Sequence, residues 1–509
     1  MEEPTPSGPR TLGDCCMWPK EFLQRITSGE HRREVAANLQ SRQKLLVTTS
    51  FAGIGTAEIA AAMICRELQT SGHWPADRTC LEVYCSCEID KACVSVLQAM
   101  EGFPCKSQHL FGDVSNVAAP ELVTSLAKDL QSLRRQVQAK QQSTTYKSYK
   151  AELAKACRNW CRKAASILDS AELSDAMYCR GCQKQCRRFP GTRERANAVW
   201  LEIAGSPCVP FCKGAYGTGL SWLHPVSVPV FIWLHSLKRA QPDMILHENV
   251  PDFTPLVFDL VLNAEEQCYS VESVVWSPSA HGLPISRDRR YTLCRRLASF
   301  TRKLDFNYDA LQQYFFASQV AEAHIFFQAS ADMLNELNKD LAIKRGLPPM
   351  RTTRRGGLFP WHWPALMTSS ERRVWAHMRE EAQRAVREKG LPESHCWLVN
   401  LSQTESFQPR VQLPPLTMPA ILRGSKFYLD CQNENRGRLL HPWECLAMQA
   451  LPILLPPEHP ALESCNLQAV LARADVPLRK LQSMSGNGMN AACVGKSIFY
   501  ALASTKWQS

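Results

Sequence analysis

Cys208, Glu248 and the arginines Arg287 and Arg289 are the residues of this chain whose types and order suggest covalent chemistry. Cys208 follows a proline shortly after the apolar run 199–204, and a thiolate there can act as a nucleophile. Glu248 ends a later apolar run, and burial can keep such a carboxyl group protonated, able to hydrogen-bond or protonate a ring nitrogen. The arginines lie two residues apart on a strand-like segment, so both would face one side and hold a carboxylate or a phosphate. The set predicts a thiolate and a proton donor that act on one heterocyclic ring.

Each of these residues also has a commoner explanation. A cysteine is most often a buried, inert thiol, and this chain has 22 of them. Glu248 alone would be read as a capped or paired surface acid, and the arginines as a solvated basic run. The order of the three features along the chain favours the catalytic interpretation.

Alternating strand and helix patterns surround these residues and predict a doubly wound parallel α/β sheet. An apolar, β-branched run at 44–49 stops at Gly53 and Gly55, as a buried strand does when it enters a glycine turn. The further predicted elements are helices at 57–68 and 91–100 and strands at 81–88, 199–204, 244–248 and 291–294. Since the carboxyl ends of parallel strands share one edge, Cys208 and Glu248 are expected to lie there together.

The segment Phe51-Ala52-Gly53-Ile54-Gly55 lies between the first strand and the first helix, where a backbone can approach a nucleotide-like ligand. Glu88 ends the second strand, and a carboxylate in that position can accept both hydroxyls of a ribose. Asp113 is predicted to end the third strand, where it could receive an adenine amino group. The alternative is an ordinary strand–turn–helix with solvated acids.

Length and composition set the broad class. At 509 residues two or three domains are expected, and the net charge of +11 indicates an anionic partner, nucleic acid in preference to a membrane surface. The cysteines are scattered and the chain opens without a secretory signal, which indicates a reducing compartment. The apolar segment 226–237 is shorter than the roughly 18 residues that cross a bilayer, so a buried helix is expected and no membrane partner.

Changes in pattern divide the chain into four parts. Residues 1–43 are expected to form a polar tail and a leading helix, 44–300 the core, 301–435 a smaller domain, and 436–509 a return to the core. The core is interrupted at about 120–195 by a basic insertion that is helical in character. Between Lys128 and Lys163 the insertion has ten Lys or Arg and two acids.

These motifs together resemble the (cytosine-5) methyltransferases that use S-adenosylmethionine. The resemblance covers about 45–300 and 436–509, with Pro207-Cys208 similar to the family's nucleophile and Glu248-Asn249-Val250 to its Glu-Asn-Val. The other matching segments are Phe51 to Gly55, Glu88, Gly112-Asp113-Val114, 284–291, 439–452 and Gly486-Asn487. The resemblance implies a Rossmann-like methyltransferase sheet with a helical basic insertion and a smaller target-recognition domain. A glycine-bearing mobile loop at 213–220 is implied as well.

The same resemblance implies the roles of individual residues. Cys208 would attack a flipped-out cytosine, Glu248 would activate the ring at N3, and Arg289 with Arg287 would orient the glutamate and the base. The cofactor would be held by residues from several motifs: Phe51, Ala52, Gly53, Gly55, Glu88, Asp113, Pro207 and Asn487. The chain departs from the family at three places: Val209 and Ile285 replace glutamines, and Gly488-Met489 replaces Ser/Ala-Val.

The region 301–435 corresponds to the part of the family that reads the target. Arg351, Arg354 and Arg355, followed by Trp361 and Trp363, could contact guanine edges or phosphates. A solvated basic loop is the alternative. Double-stranded DNA is the expected partner, since the Cys-Phe-Thr signature of the transfer-RNA branch is missing from this region. The target base must leave the stack to reach Cys208.

Five cysteines of the insertion suggest a structural zinc ion as a weaker prediction. They are Cys157, Cys161, Cys179, Cys182 and Cys186. Four thiolates can hold zinc tetrahedrally, although only one of the spacings is the x2 spacing of known sites. Neighbouring basic residues, Arg188 among them, would favour thiolates and could touch phosphate. Coincidence in a cysteine-rich chain is the alternative.

Two further readings of the whole chain stay open at this point. One is an RNA cytosine-5 methyltransferase of the same fold, and the other a catalytically weakened regulatory or DNA-binding relative. The substrate implies residence in the nucleus in a nucleated host and in the cytoplasm otherwise.

Overall fold

The computed structural model of the chain describes residues 7–28, 32–40, 44–141, 145–212, 220–302, 314–347, 366–390, 396–402, 411–413, 416–431 and 437–507. A nine-stranded sheet forms the centre of this structure. Its strands are β1 (Leu45–Ser50), β2 (Leu81–Cys87), β3 (His109–Phe111), β4 (Ala176–Cys179), β5 (Lys184–Arg187), β6 (Val199–Gly205), β7 (Met244–Asn249), β8 (Tyr269–Trp276) and β9 (Arg289–Arg296).

The strand order is β5-β4-β3-β2-β1-β6-β7-β9-β8. Strands β3, β2, β1, β6 and β7 pair in parallel, whereas β9 lies antiparallel to β7 and β8. Without β4, β5 and β9, the order is the 3-2-1-4-5-6 of a doubly wound fold. The predicted α/β class is therefore confirmed.

The helices that follow the strands form two apolar layers, one on each face of the sheet. Along β1, Leu45 and Val47 join one apolar cluster and Leu46 joins the other, as the alternation of a strand requires. The helices up to residue 262 are α1 (Trp18–Ser28), α2 (Arg32–Gln40), α3 (Thr56–Thr70), α4 (Lys91–Ala99), α5 (Pro120–Gln141), α6 (Tyr146–Ser170), α7 (Thr192–Arg195), α8 (Ser227–Ala240) and α9 (Leu256–Leu262). The predicted buried helix at 226–237 corresponds to α8.

The insertion contains the two long helices α5 and α6 and then departs from its predicted helical character. Strands β4 and β5 form a hairpin that extends the main sheet, with Cys179 of β4 paired to Phe111 of β3. Strands of four residues are too short to show a period in the sequence. Arg188, predicted to lie near phosphate, is instead buried, with its guanidinium nitrogen 2.6 Å from Ser50 Oγ and 3.7 Å from Glu202 Oε1.

The N-terminal segment, expected to form a polar tail and a leading helix, contains helices α1 and α2 in its described part, 7–28 and 32–40. Helices α1 and α2 bury apolar side chains in the main core, where the Trp18 indole lies so close to Gly495 that a Cβ there would be 2.1 Å away. Phe22 contacts Phe315 and Phe499, with ring centroids 4.6 and 6.4 Å apart. The sequence alone does not show which surface accepts these side chains.

Part of the region 301–435 has an apolar cluster of its own, and its first described part packs on the main core. Helices Ala331–Lys344 and Ser369–Glu388 lie beside a small sheet of β11 (Cys396–Asn400), β12 (Phe427–Cys431) and β13 (Arg438–Leu439). A second pair joins β10 (Phe300–Arg302) to β14 (Thr505–Trp507). The predicted boundaries of the four parts stay predictions.

The C-terminal segment returns to the core. It contains helices Pro442–Ala447, Leu467–Ala474, Leu478–Asn487 and Ala491–Ala503, and the last of these packs on α3. Gly486 and Asn487 are the last two residues of helix Leu478–Asn487, and Gly488 follows them. No helix in the described segments is long and apolar enough to cross a membrane.

Candidate active site

The predicted site residues of the core come together at the carboxyl edge of the sheet. Ser50, at the end of β1, pairs with Cys87 on one side and Ala204 on the other. Gly205 pairs with Glu248 at the adjoining ends of β6 and β7. The glycine turn, Glu88, and the loops that carry Asp113 and Cys208 therefore all begin at this edge, as the parallel order predicted.

Cys208 begins a single helical turn directly after β6. Its carbonyl accepts hydrogen bonds from the amides of Phe211 at 2.9 Å and Cys212 at 3.2 Å. Residues four apart on such a turn share a face, so the Cys212 thiol lies beside that of Cys208. Both side chains are half-buried. Cys212 was overlooked in the sequence, where the C-x3-C spacing was the available signal.

Asn249 fixes the strand-to-loop transition on which Cys208 depends. Its Nδ2 donates to the carbonyl and hydroxyl oxygens of Ser206 at 3.0 and 2.9 Å, and its Oδ1 accepts from the amide of Val250 at 2.8 Å. The Ser206 hydroxyl also lies 2.8 Å from His247 Nε2. Burial lowers the pKa of His247 to about 3, so this imidazole is neutral. Asn249 is therefore a positioning residue within the Glu-Asn-Val motif.

Glu248 presents a buried carboxylate with unused hydrogen-bonding capacity. Its side chain is 9% exposed, and Oε1 lies 3.1 Å from the Arg289 Nε in an ion pair. Oε1 nevertheless accepts no hydrogen bond within the described residues. Burial raises the pKa of Glu248, whereas the positive charges of Arg289 and Arg287 lower it. The carboxyl group is thus able to exchange a proton or a hydrogen bond with a bound molecule.

The Cys208 thiol is activated by its neighbours. The hydrogen bond from Cys212 lowers the pKa of Cys208, burial opposes the change, and Arg289 supports it, with a result of about 7. The same hydrogen bond raises the pKa of Cys212, which stays a neutral donor. A large part of Cys208 is therefore thiolate near neutral pH.

We predict that Cys212→Ala makes Cys208 less reactive at pH 7. Because the Cys212 thiol stabilises the thiolate, its loss raises the pKa of Cys208 toward the ordinary value of about 8.5. The thiolate fraction at pH 7 then falls by about tenfold. Alkylation of the Cys208 peptide by iodoacetamide, followed by mass spectrometry across pH, measures this shift toward higher pH. The matched variant Cys268→Ala, which removes a half-buried thiol elsewhere, should leave the pH dependence of Cys208 alkylation unchanged. If Cys212→Ala showed the same pH dependence as the original chain, the role assigned to Cys212 would be refuted.

Arg287 contacts backbone carbonyls instead of the carboxylate that it was predicted to orient. Its guanidinium donates to the carbonyl oxygens of Ile421, Gly486 and Gly488 at 2.6, 3.0 and 2.8 Å. A Cβ at Gly486 would lie 2.2 Å from the backbone of Leu422, so only glycine permits this approach. Arg287 precedes β9 and joins Ile421, in the region 301–435, to the segment 486–488, and its charge still acts on Glu248.

We predict that Arg287→Leu destabilises the fold by about 3 kcal/mol or more, because it leaves three carbonyl groups without their donor in a buried place. The midpoint of urea unfolding, followed by fluorescence, measures the loss. Arg423→Leu is the matched control, since Arg423 is exposed and makes one 3.2 Å bond to Ser483. Equal midpoints for the two variants would contradict the clamp role of Arg287.

The glycine turn after β1 has the backbone conformation that a ligand cradle requires. Phe51, Gly53 and Gly55 all have positive φ, at 55°, 59° and 82°. A Cβ at Gly55 would lie 2.7 Å from Met100, whereas at Gly53 no atom lies within 4 Å. Glu88 accepts the Gly53 amide on Oε2 at 2.7 Å and the Asp90 amide on Oε1 at 2.7 Å. The carboxylate therefore fixes the turn and keeps lone pairs for a ligand.

The remaining cofactor candidates differ in what they contact. Asp113 lies two residues after β3 and caps the following turn, where Oδ1 accepts from the Ser115 amide at 2.8 Å. Asn487 ends its helix and is exposed, and Pro207 is half-buried. Ile89, next to Glu88, was overlooked although its apolar side chain is 65% exposed.

Several predictions fall on residues outside the described part of the chain. Arg351, Arg354 and Arg355, the tryptophans Trp361 and Trp363, and the loop 213–219 belong there. Their roles in DNA binding and loop closure stay predictions.

The five cysteines of the insertion do not form one cluster. Cys157 and Cys161 face the apolar core from α6, and the Cys157 thiol donates to the Leu220 carbonyl at 3.7 Å. Cys179, Cys182 and Cys186 gather at the β4–β5 hairpin, where His109 of β3 joins them. The prediction of Cys157 and Cys161 as ligands is wrong because their helix turns them inward.

Comparisons with known proteins find solved structures of low similarity and no close sequence. No protein-family model matches the chain, and no curated protein matches it. The S. pombe Dnmt2 methyltransferase aligns with a TM-score of 0.42 and 14% identity, over 90% of this chain and 98% of that one. A putative DNA modification methyltransferase of an E. coli prophage gives 0.40 and 15%, over 90% and 98%. A Spodoptera frugiperda DNMT2 mutant gives 0.36 and 13%, over 90% and 99%.

These three structures are methyltransferases by name, which is the class that the motifs of this chain resemble. At such TM-scores and identities the likenesses by themselves carry no functional conclusion. A functional conclusion therefore depends on the geometry around Cys208 and Glu248.

Proposed function

We propose that this chain is an S-adenosylmethionine-dependent methyltransferase that acts on carbon 5 of cytosine in DNA. The observation that carries the proposal is the arrangement at the sheet edge. A thiol with a pKa of about 7 lies within the electrostatic reach of a buried carboxyl group whose Oε1 accepts no hydrogen bond among the described residues. A cytosine ring needs both groups at once, the thiolate at C6 and the proton donor at N3.

The chain's residues account for the activation of carbon 5. The Cys208 thiolate adds to C6, a carbon–sulfur bond forms, and the electron pair of the C5–C6 double bond shifts through the ring toward N3. Glu248 donates its proton or hydrogen bond to N3, and Arg289 holds the carboxylate in place. Carbon 5 has then become nucleophilic. After carbon 5 has used that electron pair to take the methyl group, a base removes the proton from C5. The electron pair of the C5–H bond then re-forms the C5–C6 double bond and expels the Cys208 thiolate, and N3 returns its proton to Glu248.

The glycine turn and its neighbours fit S-adenosylmethionine, which supplies the methyl group. The open space at Gly53 admits a ligand beside the backbone, and the Glu88 carboxylate keeps lone pairs for ribose hydroxyls. The exposed Ile89 offers an apolar surface for the adenine, and Asp113 a carboxylate for its amino group. Beyond the glycine turn, the Met489 side chain packs against Gly205 at the end of β6. A Cβ at Gly205 would lie 2.6 Å from the Met489 methyl group.

Double-stranded DNA is the proposed partner because the exposed charge of the insertion suits a phosphate backbone. Helices α5 and α6 carry most of the ten basic residues on exposed positions, and the two acids there already pair with Lys140 and Lys163. The target cytosine would be flipped toward Cys208. Nuclear residence in a nucleated host, and cytoplasmic residence otherwise, belongs to the same proposal.

Transfer of labelled methyl groups from S-adenosylmethionine tests this assignment. The full-length chain is incubated with double-stranded DNA or with RNA of the same sequence, and the nucleosides are separated by chromatography. Label in 5-methylcytosine from DNA is the expected result. Label from RNA alone would move the substrate to RNA and overturn the DNA part. Binding of S-adenosylmethionine without transfer to either would overturn the enzyme assignment and favour a regulatory relative.

A further inference from the structure

His109, Cys179, Cys182 and Cys186 form a compact group at the edge of the main sheet. The Nδ1 or Sγ atoms of the four residues all lie within 4.8 Å of one another. His109 comes from β3 of the core, and the three cysteines come from the hairpin at the end of the insertion. We propose that these four residues bind a structural zinc ion that fastens the insertion to the core.

The spacing of the ligand atoms is that of a tetrahedral site. With a zinc–sulfur bond of about 2.3 Å and a zinc–nitrogen bond of about 2.0–2.1 Å, ligand atoms of a tetrahedron are about 3.5–3.8 Å apart. His109 Nδ1 lies 3.8 Å from the Cys179 sulfur and 3.4 Å from the Cys182 sulfur. Three thiolates and an imidazole are a ligand set that selects zinc.

The backbone around Cys179 has the form of a metal-binding turn. The amides of Leu110 and Cys182 donate to the Cys179 sulfur at 3.3 and 3.4 Å, as suits a thiolate that carries negative charge. Gly181 lies inside the x2 spacing, and Gln183 closes the turn through its amide, which donates to the Cys179 carbonyl at 2.9 Å. These contacts hold Cys179 and Cys182 together before a metal arrives.

The imidazole of His109 is held in place by aromatic neighbours. Its centroid lies 5.0 Å from that of Tyr84 and 6.1 Å from that of Phe111. Both neighbours belong to the parallel part of the sheet, so the ring is oriented by the core and not by the hairpin. A metal ion at this point therefore links two segments that are 70 residues apart in the chain.

The hairpin that carries Cys179 and Cys182 also contacts the loop that leads to Asp113 in the proposed cofactor site. Arg180, between Cys179 and Cys182, donates its amide to the Leu110 carbonyl at 2.7 Å. The Arg180 guanidinium packs against Gly112, where a Cβ would lie 3.1 Å from it. Gly112 precedes Asp113, the proposed adenine contact. The zinc ion would thus hold the hairpin against the loop that carries Asp113.

Metal content of the full-length chain tests the site without any assay of activity. The reduced protein, freed of metal by a chelator and titrated with Zn²⁺ alone, should bind one equivalent tightly. Co²⁺ in its place should give the visible absorption of a tetrahedral sulfur–nitrogen site. Cys182→Ser, which alters an exposed side chain, and His109→Ala should each weaken zinc binding by about 100-fold or more, since even outer contacts are worth 10–100-fold. Cys268→Ser is the matched control and should bind zinc normally.

Failure of the reduced chain to bind one equivalent would overturn the site, and so would unchanged affinity in Cys182→Ser or His109→Ala. Hydrogen exchange provides a second readout: the Leu110 amide should lose protection when zinc is removed. The effect on the cofactor rests on the proposed function. Zinc removal should weaken S-adenosylmethionine binding several-fold by calorimetry, and a zinc-loaded chain that binds no S-adenosylmethionine would refute the function and leave the zinc site standing.

Discussion

Cys208→Ala should abolish methyl transfer while the protein still binds S-adenosylmethionine. In the proposed reaction the thiolate forms the covalent bond that makes carbon 5 nucleophilic, and a methyl side chain cannot replace it. Loss of a nucleophile that works as part of a unit costs several powers of ten, so kcat should fall by about 10⁴-fold or more. Labelled methyl transfer to double-stranded DNA measures the loss, and calorimetry measures cofactor binding.

The control for this variant is Cys268→Ala, which removes a half-buried thiol that lies outside the site. Its turnover should equal that of the original chain. The affinity of Cys208→Ala for S-adenosylmethionine should stay within a few-fold, because the glycine turn and Glu88 follow other strands, β1 and β2. Turnover of Cys208→Ala within tenfold of the original would show that another residue is the nucleophile.

Glu248→Gln should give the second large effect. Glutamine keeps the shape of the side chain and can donate one hydrogen bond to N3, but it transfers no proton and does not pair with Arg289. Proton transfer by a positioned group is worth about 10²–10⁴-fold, so kcat should fall by that factor with little change in KM. Single-turnover rates with saturating DNA isolate the chemical step.

The pH profile of Glu248→Gln carries an independent prediction. Under the proposed mechanism, thiolate formation at Cys208 should make activity rise as pH passes through about 7. Deprotonation of Glu248 removes the proton donor, and because burial raises its pKa, the protonated form persists to higher pH than in an exposed glutamate. The original chain should therefore lose activity at high pH, whereas Glu248→Gln should not.

Glu272→Gln is the matched control, since Glu272 also pairs with a strand arginine, Arg295, at 3.1 Å, but lies on β8, the outermost strand of the sheet. Its turnover should stay within about threefold, as for a change that touches no reacting group. A Glu248→Gln variant with the rate and pH profile of Glu272→Gln would contradict the role assigned to Glu248.

The sheet and its active edge could be predicted from the sequence because both follow from local rules. Strand and helix periods located β1, β2, β6 and β7 to within one or two residues, and parallel order fixed which ends meet. Cys208 and Glu248 were thus placed at one edge before any distance was known.

Contacts between distant segments could not be predicted in this way. His109 lies 70 residues before Cys179, so no ligand spacing reveals it. The burial of Arg188 beside Glu202 depends on how the insertion folds back on the sheet. Arg287 looked like a partner of Glu248 because strand alternation was assumed for a residue that precedes β9.

Short elements could not be predicted from the sequence for a different reason. The four-residue strands β4 and β5 have no readable period, and their hairpin was included in a helical insertion. Asn249 was visible as part of a motif, but its bonds to Ser206 appear only when β6 and β7 are paired.

Covalent trapping tests the central claim most directly. Double-stranded DNA that contains 5-fluorocytosine is incubated with the full-length chain and S-adenosylmethionine, and the product is digested and analysed by mass spectrometry. Fluorine cannot be removed as a proton is, so the thiolate stays bonded to C6. The account predicts a methylated fluorocytosine adduct on the peptide that contains Cys208, and none in Cys208→Ala. An adduct on another residue, or methylated cytosine formed with no adduct at all, would contradict it.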